Sequence, residues 1–572
     1  MFRTTVLRNI LDRLIYDEEY DTIDMNLTDC NIGSRKKRNI RDNLFVMNAI
    51  MNSSKKGIDQ PCDICVYDVR KCFDSLWLEE CINDLFEAGL TNDKLCLLYY
   101  QNRTARIAIN TPSGKTERVA IHKTVMQGTV WAGLMCTCTM DKLGSQAYGD
   151  PNLLYKYRGE VNVPPLQMVD DVIMASKCGN QVVTSNSAVS TFMKLKKLDL
   201  SETKCARIHI GKSNCDKCPT ILVNDKVIKE SEKEKYLGDY LTKSATATET
   251  IKDRKRKGYG ILGEMRAILE DIPLGNKRLE IGLTLREAWF LNGTLYNSEV
   301  WGSYRKEDIE ALEVLDRKIL RLILGSHSKS ANEMLFLETA VLPVSAVISV
   351  RRMIYLQTLL QRQDDEITKQ IYLCQLKNPY PGDWVKLLEA DKKEFNLNLS
   401  DHEICAMSSV DYKKLVKTIV RNKIFLDLRH IQDKHTKIKH ITYTSLVEPQ
   451  SYLKSDIFNN KQRKLLYNLR SKSARGFKDN FHRQFDSISC QLHCQGQEDS
   501  QEHLLSCQSV ISCLSESNQQ LLNSVKYSDL FGTLEEQLRI TNTFLILIRV
   551  RTRLLERHQK LACEGSNTRP CG

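Results

Sequence analysis

The chain has 572 residues, 42% of them apolar and 27% charged, an ordinary balance for a soluble globular protein of roughly three or four domains. Its net charge of +12, from 83 basic and 71 acidic residues, fits a polyanionic partner but is also common without one. No apolar run approaches the roughly 20 residues needed to span a bilayer. FLILIRV at 544–550 is the best candidate, and it is short and interrupted by charge. The N-terminus, MFRTTVLRNILDRL, lacks the apolar run of a signal peptide, and the 20 cysteines are scattered. These features argue against a secreted disulfide framework, and the expectation is reduced thiols in an intracellular protein, nuclear or cytoplasmic, with no membrane partner.

Residues 1–60 read as helical, interrupted by the basic run SRKKRNIR at 34–41. ICVYDV at 64–69 and TARIAINT at 104–111 are strand candidates, and the turn residues PSGK lead into a further one, ERVAIHKTV. Between the first two strands, FDSLWLEECINDLFEAGL has helical apolar spacing and a C-capping Gly89. A helix over about 129–147 follows, then the hairpin LQMVDDVIMAS at 166–176, a helix over roughly 180–198 and the strand KCARIHIG. From about 246 to 470 the patterns are helical, opening with KDRKRKG at 252–258. Leu312, Leu315, Ile319, Leu322 and Ile323 mark one amphipathic face. The first half is thus mixed α/β, the second helical, and a Cys/His cluster lies near the end.

Asp68 ends one strand, and Asp170 and Asp171 sit at the bend of a hairpin about a hundred residues later. Aspartate is depleted in strands and costly to bury unpaired. If the hairpin lies beside the first strand, three carboxylates converge at one sheet end, and like charges that close raise one another's pKa. A hard divalent cation such as Mg²⁺, which prefers oxygen ligands, resolves that conflict. An ordinary turn, where Asp is favoured, accounts for Asp-Asp equally well on spacing alone. Gln127-Gly128, before the 129–147 helix, adds an amide and an exposed backbone near the same sheet end.

The order YDVRKCFDSLW, VMQGTVWAGL, LQMVDDVIMAS, KLKKLDLSETKCARIHIGK and EKYLGDYL resembles the successive palm motifs of a reverse transcriptase. It is most similar to the enzymes of non-LTR (LINE-like) retrotransposons, over about residues 20–345, including TLREAWFLNGTLYNSEVWGS from 284. The resemblance implies an α+β fold: a right-hand polymerase palm, an antiparallel sheet with packed helices, followed by an all-α thumb and C-terminal region. It divides the chain into partial fingers (1–60), palm (61–245), helical thumb (246–345), helical C-terminal region (346–480), zinc knuckle (481–515) and helical tail (516–572).

It also implies an RNA-directed DNA polymerase that extends a DNA primer on an RNA template with dNTPs. Asp68 and Asp170 would hold two Mg²⁺ ions, with Asp171 assisting and the Val69 carbonyl completing a shell. Phe73 would lie under the incoming sugar and reject a ribose 2′-hydroxyl, although it also fits as the first core residue of its helix. Gln127 and Gly128 would contact nucleotide and template, and Lys204 would act near the pyrophosphate or stand as a solvated lysine beside a strand. EKYLGDYL would grip the primer, and KDRKRKG would lie near the thumb.

The chain departs from the family in two places. Met168-Val169 stands where an aromatic and an alanine are usual. Upstream of SRKKRNIR, finger strands with a triphosphate-clamping arginine, and often an endonuclease domain, are expected. Here Arg35, Lys36, Lys37, Arg38 and Arg41 are the substitute charge, open to reading as a nucleic-acid groove, an exposed loop or a nuclear-import signal. The expectation is a 5′-truncated element, either an active polymerase or a nucleic-acid-binding relic. An Mg²⁺-dependent nuclease needs neither Gln-Gly nor Phe73, and a viral RNA-copying polymerase has no use for a bulky sugar gate.

CQLHCQGQEDSQEHLLSC spans 490–507, with Cys490 and Cys494, then His503 and Cys507, each four positions apart. Three thiolates and an imidazole make a closed tetrahedral site suited to structural Zn²⁺, although a Cys-rich chain also reaches this spacing by chance. The arrangement resembles the C-terminal knuckle of non-LTR reverse transcriptases, where it is associated with RNA binding. Cys513 is an alternative ligand, and Cys215-x-x-Cys218 reads as a loop with free thiols.

Overall fold

Six residues, Cys62–Tyr67, are buried almost throughout and form the central strand, β1, of a five-stranded sheet. The structure is a computed structural model. It describes residues 6–104, 106–120, 123, 125, 129–177, 179–212, 220–443, 446–478 and 487–566. The other strands are β2 (Leu166–Met168), β3 (Asp171–Lys177), β4 (Ala206–Ile210) and β5 (Lys229–Glu230), in the spatial order β5-β4-β1-β3-β2. All neighbours are antiparallel except β4 and β5. β1 and β3 are buried on both faces and read as near-continuous apolar runs rather than alternating ones.

The helices accompanying the sheet are α1 (Val6–Asn26), α2 (Ile40–Lys55), α3 (Cys72–Ser75), α4 (Leu78–Glu87), α5 (Ala132–Gly149) and α6 (Asn180–Leu195). Cys65 and Tyr67 of β1 share one core with Cys81 and Leu85 of α4, Leu134 of α5 and Phe192 of α6. α2 packs against β2 and β4. The helix expected from Phe73 to Gly89 is interrupted: Leu76 and Trp77 are extended, and Trp77 bridges to Lys123 while the Phe73 carbonyl accepts from the Val125 amide at 2.9 Å. That pairing needs extended backbone, which outweighs helical periodicity. Gly89, at φ 105°, does end the second piece.

TARIAINT also splits, into Arg106–Ile107 and Asn110–Thr111. The Thr116 hydroxyl takes the Ile109 amide at 2.9 Å, replacing a ladder bond with a side-chain one. Lys233–Tyr236 and Asp239–Thr242 form the expected hairpin, turning at Leu237-Gly238 with φ of 46° and 93°.

The chain divides into two compact units, the first built from Met1–Thr250, Asn297–Arg305 and Arg351–Tyr412. Its last segment is tied to α2. Asp42 accepts from Arg362 at 2.6 Å and from the Tyr355 hydroxyl at 3.0 Å, and Trp384 sits edge-on to Phe45, Tyr355 and Tyr372. The basic run is absorbed in the same way. Arg35 pairs with Asp24, Arg38 with Asp29 and Glu366, Arg41 with Glu299 and Lys36 with Asp21. Arg35 and Arg38 are thus largely buried in ion pairs, whereas Lys36 and Lys37 are exposed.

The second unit comprises Ile251–Tyr296, Lys306–Val350 and Lys413–Gly572. In the helix Lys306–Leu324, Leu312, Leu315, Ile319 and Ile323 are buried, while Leu322 is half-buried. Part of KDRKRKG is structural too: Arg254 is buried, and Arg256 and Lys257 pair with Asp253. Among the described residues no single helix is long and apolar enough to cross a membrane.

Two buried ion pairs fix this unit. Arg286 grips Asp316 at 2.6 and 2.7 Å, and Arg470 donates to one Glu338 oxygen at 3.1 and 3.0 Å and to the Leu530 carbonyl at 2.8 Å. Removing one partner of such a pair strands a buried charge, whereas replacing both with apolar residues need not destabilise. Glu338→Ala is therefore expected to lower unfolding stability by about 3–5 kcal/mol in a denaturant titration, and Glu338→Leu with Arg470→Met by much less.

Candidate active site and candidate metal centre

The register between β1 and β3 pairs Tyr67 with Val172. One step further along each strand stand Asp68 and Asp171, which the antiparallel ladder sets opposite one another, with Asp170 in the adjoining turn. The next residues are held against a neighbouring segment. Arg70 donates its amide to the Asp199 carbonyl at 2.7 Å, and Ser201 donates to the Asp68 carbonyl at 2.8 Å. Those two bonds form the bridge between Val69 and Leu200 and leave the Val69 carbonyl unused by it. Lys204 extends from the same segment, its ammonium 3.2 Å from both Asp68 carboxylate oxygens, and its side chain is 66% exposed.

The β2–β3 turn has only two residues, Val169 and Asp170, closed by the pair Met168 and Asp171. Val169 has φ 59° while Asp170 does not lie at positive φ, the pattern of a II′ turn whose first position ordinarily holds glycine. A non-glycine residue in this region costs about 1–3 kcal/mol, and a β-branched one is a true outlier. The strain sits directly before the carboxylates.

Asp170 is half-buried and Asp171 exposed at the sheet end. Desolvation, then Asp68, raises the Asp170 pKa, while its own backbone amide and Lys204 oppose. Desolvation, then Asp170 and Asp68, pushes Asp171 up to about 6 against Lys204. Three converging carboxylates with one lysine, on rigid strand ends, make an oxygen-rich donor set that fits a hard divalent cation.

Phe73 lies on α3, five positions after Asp68, and is half-buried against the core that contains Tyr67 and Val69. It therefore packs as a core residue while keeping part of its ring accessible. Gln127 and Gly128 lie outside the described residues, as do Cys215 and Cys218.

In the second unit Cys490, Cys494, His503 and Cys507 come together, their ligand atoms all within 4.8 Å of one another. A tight turn carries the first two: the Cys490 amide bonds the Gln497 carbonyl at 2.9 Å, and His493 turns at φ 60°. His503 lies in the short helix Gln501–Leu504, capped by Ser500, and Cys507 begins the next one. Asp499 anchors the turn, accepting from Arg551 at 2.6 and 2.9 Å. Both ring nitrogens of buried His503 lack a hydrogen-bond partner, and desolvation lowers its pKa, which favours the neutral form that ligates a metal. The cluster fits a tetrahedral zinc site. Cys513 is exposed and outside it.

Sequence reasoning passed over Asn31 and Gly33, which touch the β2–β3 turn. The one signal for them is a glycine beside a polar residue ahead of the basic run.

Residues 4–241 match the family described as reverse transcriptase (RNA-dependent DNA polymerase). The match contains Asp68, Asp170, Asp171, Phe73 and Lys204, so the carboxylate site lies wholly within the stretch that is similar to that family. No curated protein matches the chain significantly. Among solved structures it is similar to apo telomerase from Candida tropicalis, at 12% identity and TM-score 0.31, covering 72% of this chain and 61% of that one. A form of that telomerase truncated from its C-terminal domain gives 16% identity, TM-score 0.29 and coverage of 41% and 43%. Telomerase from Candida albicans in complex with a TWJ fragment of telomeric RNA gives 12%, 0.32, 56% and 55%. The chain spans less than two thirds of the length of each of these telomerases.

The raised Asp171 pKa has a direct consequence for stability. Its folded value, about 6, lies above the ordinary 3.8, so folding is penalised by its ionisation. The penalty is absent below the unfolded value and fully present above the folded one. In metal-free protein, Asp171→Asn is expected to raise the melting temperature at pH 8, with the gain shrinking as pH falls through 6 towards 4. Melting curves in EDTA across that range check it.

Proposed function

We propose that the chain is an RNA-directed DNA polymerase of the non-LTR retrotransposon kind, acting on an RNA template and a DNA primer or target with dNTPs. The observation that carries this reading is the strand register that sets Asp68 beside Asp170 and Asp171, inside the stretch that matches reverse transcriptases. The sheet with α3–α6 would be the palm, and the helices after residue 246 the thumb. Free thiols throughout the described chain fit an intracellular setting, nuclear or cytoplasmic.

Asp68, Asp170 and Asp171, with the Val69 carbonyl, would hold two Mg²⁺ ions. Bound there, the ions would lower the pKa of the primer 3′-hydroxyl and offset charge on the leaving pyrophosphate. The chain's own residues supply the rest. The strand ends fix the carboxylates, so little reorganisation accompanies binding. Phe73, anchored by its buried side, presents a ring edge where a ribose 2′-hydroxyl would collide. Lys204 is flexible and solvent-exposed, so it can leave Asp68 for the pyrophosphate once that carboxylate has another counter-ion. The hairpin 233–242 would support the primer strand.

Extension of a DNA primer on a poly-A RNA template with Mg²⁺ and dTTP tests the reading. Wild type is expected to extend, and Asp170→Ala to lose about a hundred- to a thousandfold in rate, as loss of a key electrostatic group typically does. If neither protein extends yet both bind the template, the chain is a nucleic-acid-binding relic. Shortening of the primer instead of growth would point to a nuclease.

Zinc held by Cys490, Cys494, His503 and Cys507 would stabilise the end of the second unit, where an RNA-binding knuckle would lie. Purified protein is expected to carry about one zinc per chain, and Cys507→Ser to lose it together with thermal stability. Metal analysis and melting curves read both, and unchanged zinc in Cys507→Ser would remove the assignment.

A further inference from the structure

The strained residue before the catalytic carboxylates has a dedicated partner in a distant part of the chain. Cys30–Ile32 runs parallel to the outer strand β2: the Gln167 amide bonds the Cys30 carbonyl at 2.8 Å, and the Ile32 amide bonds the Gln167 carbonyl at 3.1 Å. Backbone pairing stops there, because β2 ends and the turn begins. The Asn31 side chain, fully buried, continues it.

The Asn31 Oδ1 accepts from the Val169 amide at 3.1 Å and from the Gly33 amide at 2.9 Å. Its Nδ2 donates to the Val169 carbonyl at 3.1 Å and to Gln167 Oε1 at 3.0 Å. The carboxamide thus uses both its donors and both its acceptor sites. Two backbone amides that can only donate fix which end is oxygen. One side chain therefore grips both polar backbone groups of the residue at φ 59°. Gly33 closes the other side. A Cβ there would lie 2.5 Å from the Val169 nitrogen and 2.9 Å from its Cα, so only glycine allows the approach.

Glycine at position 169 would reach this conformation unaided, since it populates positive φ without a steric penalty. Valine does not, so the turn depends on contacts from outside the hairpin. We propose that Asn31 and Gly33 are positioning residues that hold Val169 in its left-handed conformation and so fix the carboxylates of Asp170 and Asp171. This deepens the polymerase reading and rests on it for the identity of the site. Both residues are buried, and the Asn31 carboxamide has its hydrogen-bonding capacity taken up within the chain.

The test compares wild type, Asn31→Ala, Val169→Gly and the Asn31→Ala/Val169→Gly double variant, with Asp170→Ala marking the site. Mn²⁺ binding by electron paramagnetic resonance is one readout, and hydrogen exchange of the 169–171 amides is the other. Asn31→Ala is expected to weaken Mn²⁺ binding about 10–100-fold, the usual effect of losing a group that orients a metal ligand. It should also speed exchange at Val169 while leaving β1 protected. Val169→Gly alone should bind Mn²⁺ nearly as wild type does, and in the double variant it should restore most of the lost affinity.

Unchanged Mn²⁺ affinity in Asn31→Ala would overturn the proposal. So would failure of glycine to rescue, because a general loosening of the fold gains nothing from a more flexible residue. If Asn31→Ala does not fold, Asn31→Asp takes its place: it retains the acceptor but offers no donor to the Val169 carbonyl, and the same rescue is expected. If wild type and Asp170→Ala bind Mn²⁺ equally, the polymerase reading fails, and exchange at Val169 alone decides the clamp. Unaltered exchange there in Asn31→Ala then overturns it.

Discussion

The pairing of Tyr67 with Val172 is the constraint on which the site depends. Side chains alternate faces along a strand, so a slip of one residue would carry every β3 side chain to the opposite face, into a part of the core packed for a different shape. Val172, Ile173, Met174 and Ala175 are all buried, Val172 and Met174 in the core shared with α4, α5 and α6. The close packing of β1 and β3 on both faces holds this register, and the register sets Asp68 opposite Asp171. The convergence of the carboxylates is a by-product of core packing. The aspartates do not have to find each other, because the hydrophobic residues beside them already have.

Much of this was legible in the sequence, for a physical reason. Strands buried on both faces must be continuously apolar, so an acidic residue at their ends stands out against them. Asp68 and the Asp170-Asp171 pair were visible that way, and the zinc-type spacing of Cys490, Cys494, His503 and Cys507 was visible because metal geometry constrains local sequence. The basic run at 34–41 was a different case. Its charges are plain in the sequence, but Arg38 meets Glu366 and Arg41 meets Glu299, partners some 260–330 positions away. A contact of that separation leaves no periodic trace, and a clamp of buried ion pairs then reads like a solvated or nucleic-acid-binding face.

The broken helix after Asp68 and the split strand at 106–111 were hidden for a related reason. In both, a tertiary or side-chain bond takes the place of a local backbone one: Val125 to Phe73 in the first, and the Thr116 hydroxyl to Ile109 in the second. Propensity describes what the chain does without such partners. Asn31 was missed on the same ground. A lone asparagine is an unremarked turn residue until the residue it grips is known to be strained.

Negative charge is treated differently at the carboxylate site and at six buried carboxylates elsewhere in the molecule. Elsewhere the chain supplies guanidinium groups: Arg362 for Asp42, Arg158 for Asp383, Arg207 for Asp63, Arg286 for Asp316, Arg470 for Glu338 and Arg551 for Asp499. Arginine is always charged and forks onto carboxylates in a fixed geometry, so such pairs are permanent. At the end of β1 and β3 three carboxylates meet one lysine, exposed and on a flexible stem. Lysine is a poor permanent counter-ion but an easily displaced one. A chain that could have closed this cluster with arginine, as it does in six other places, instead leaves it under-compensated and close to solvent. The raised Asp171 pKa is the electrostatic consequence of that arrangement, and an under-compensated carboxylate cluster close to solvent is the donor set that suits a hard divalent cation.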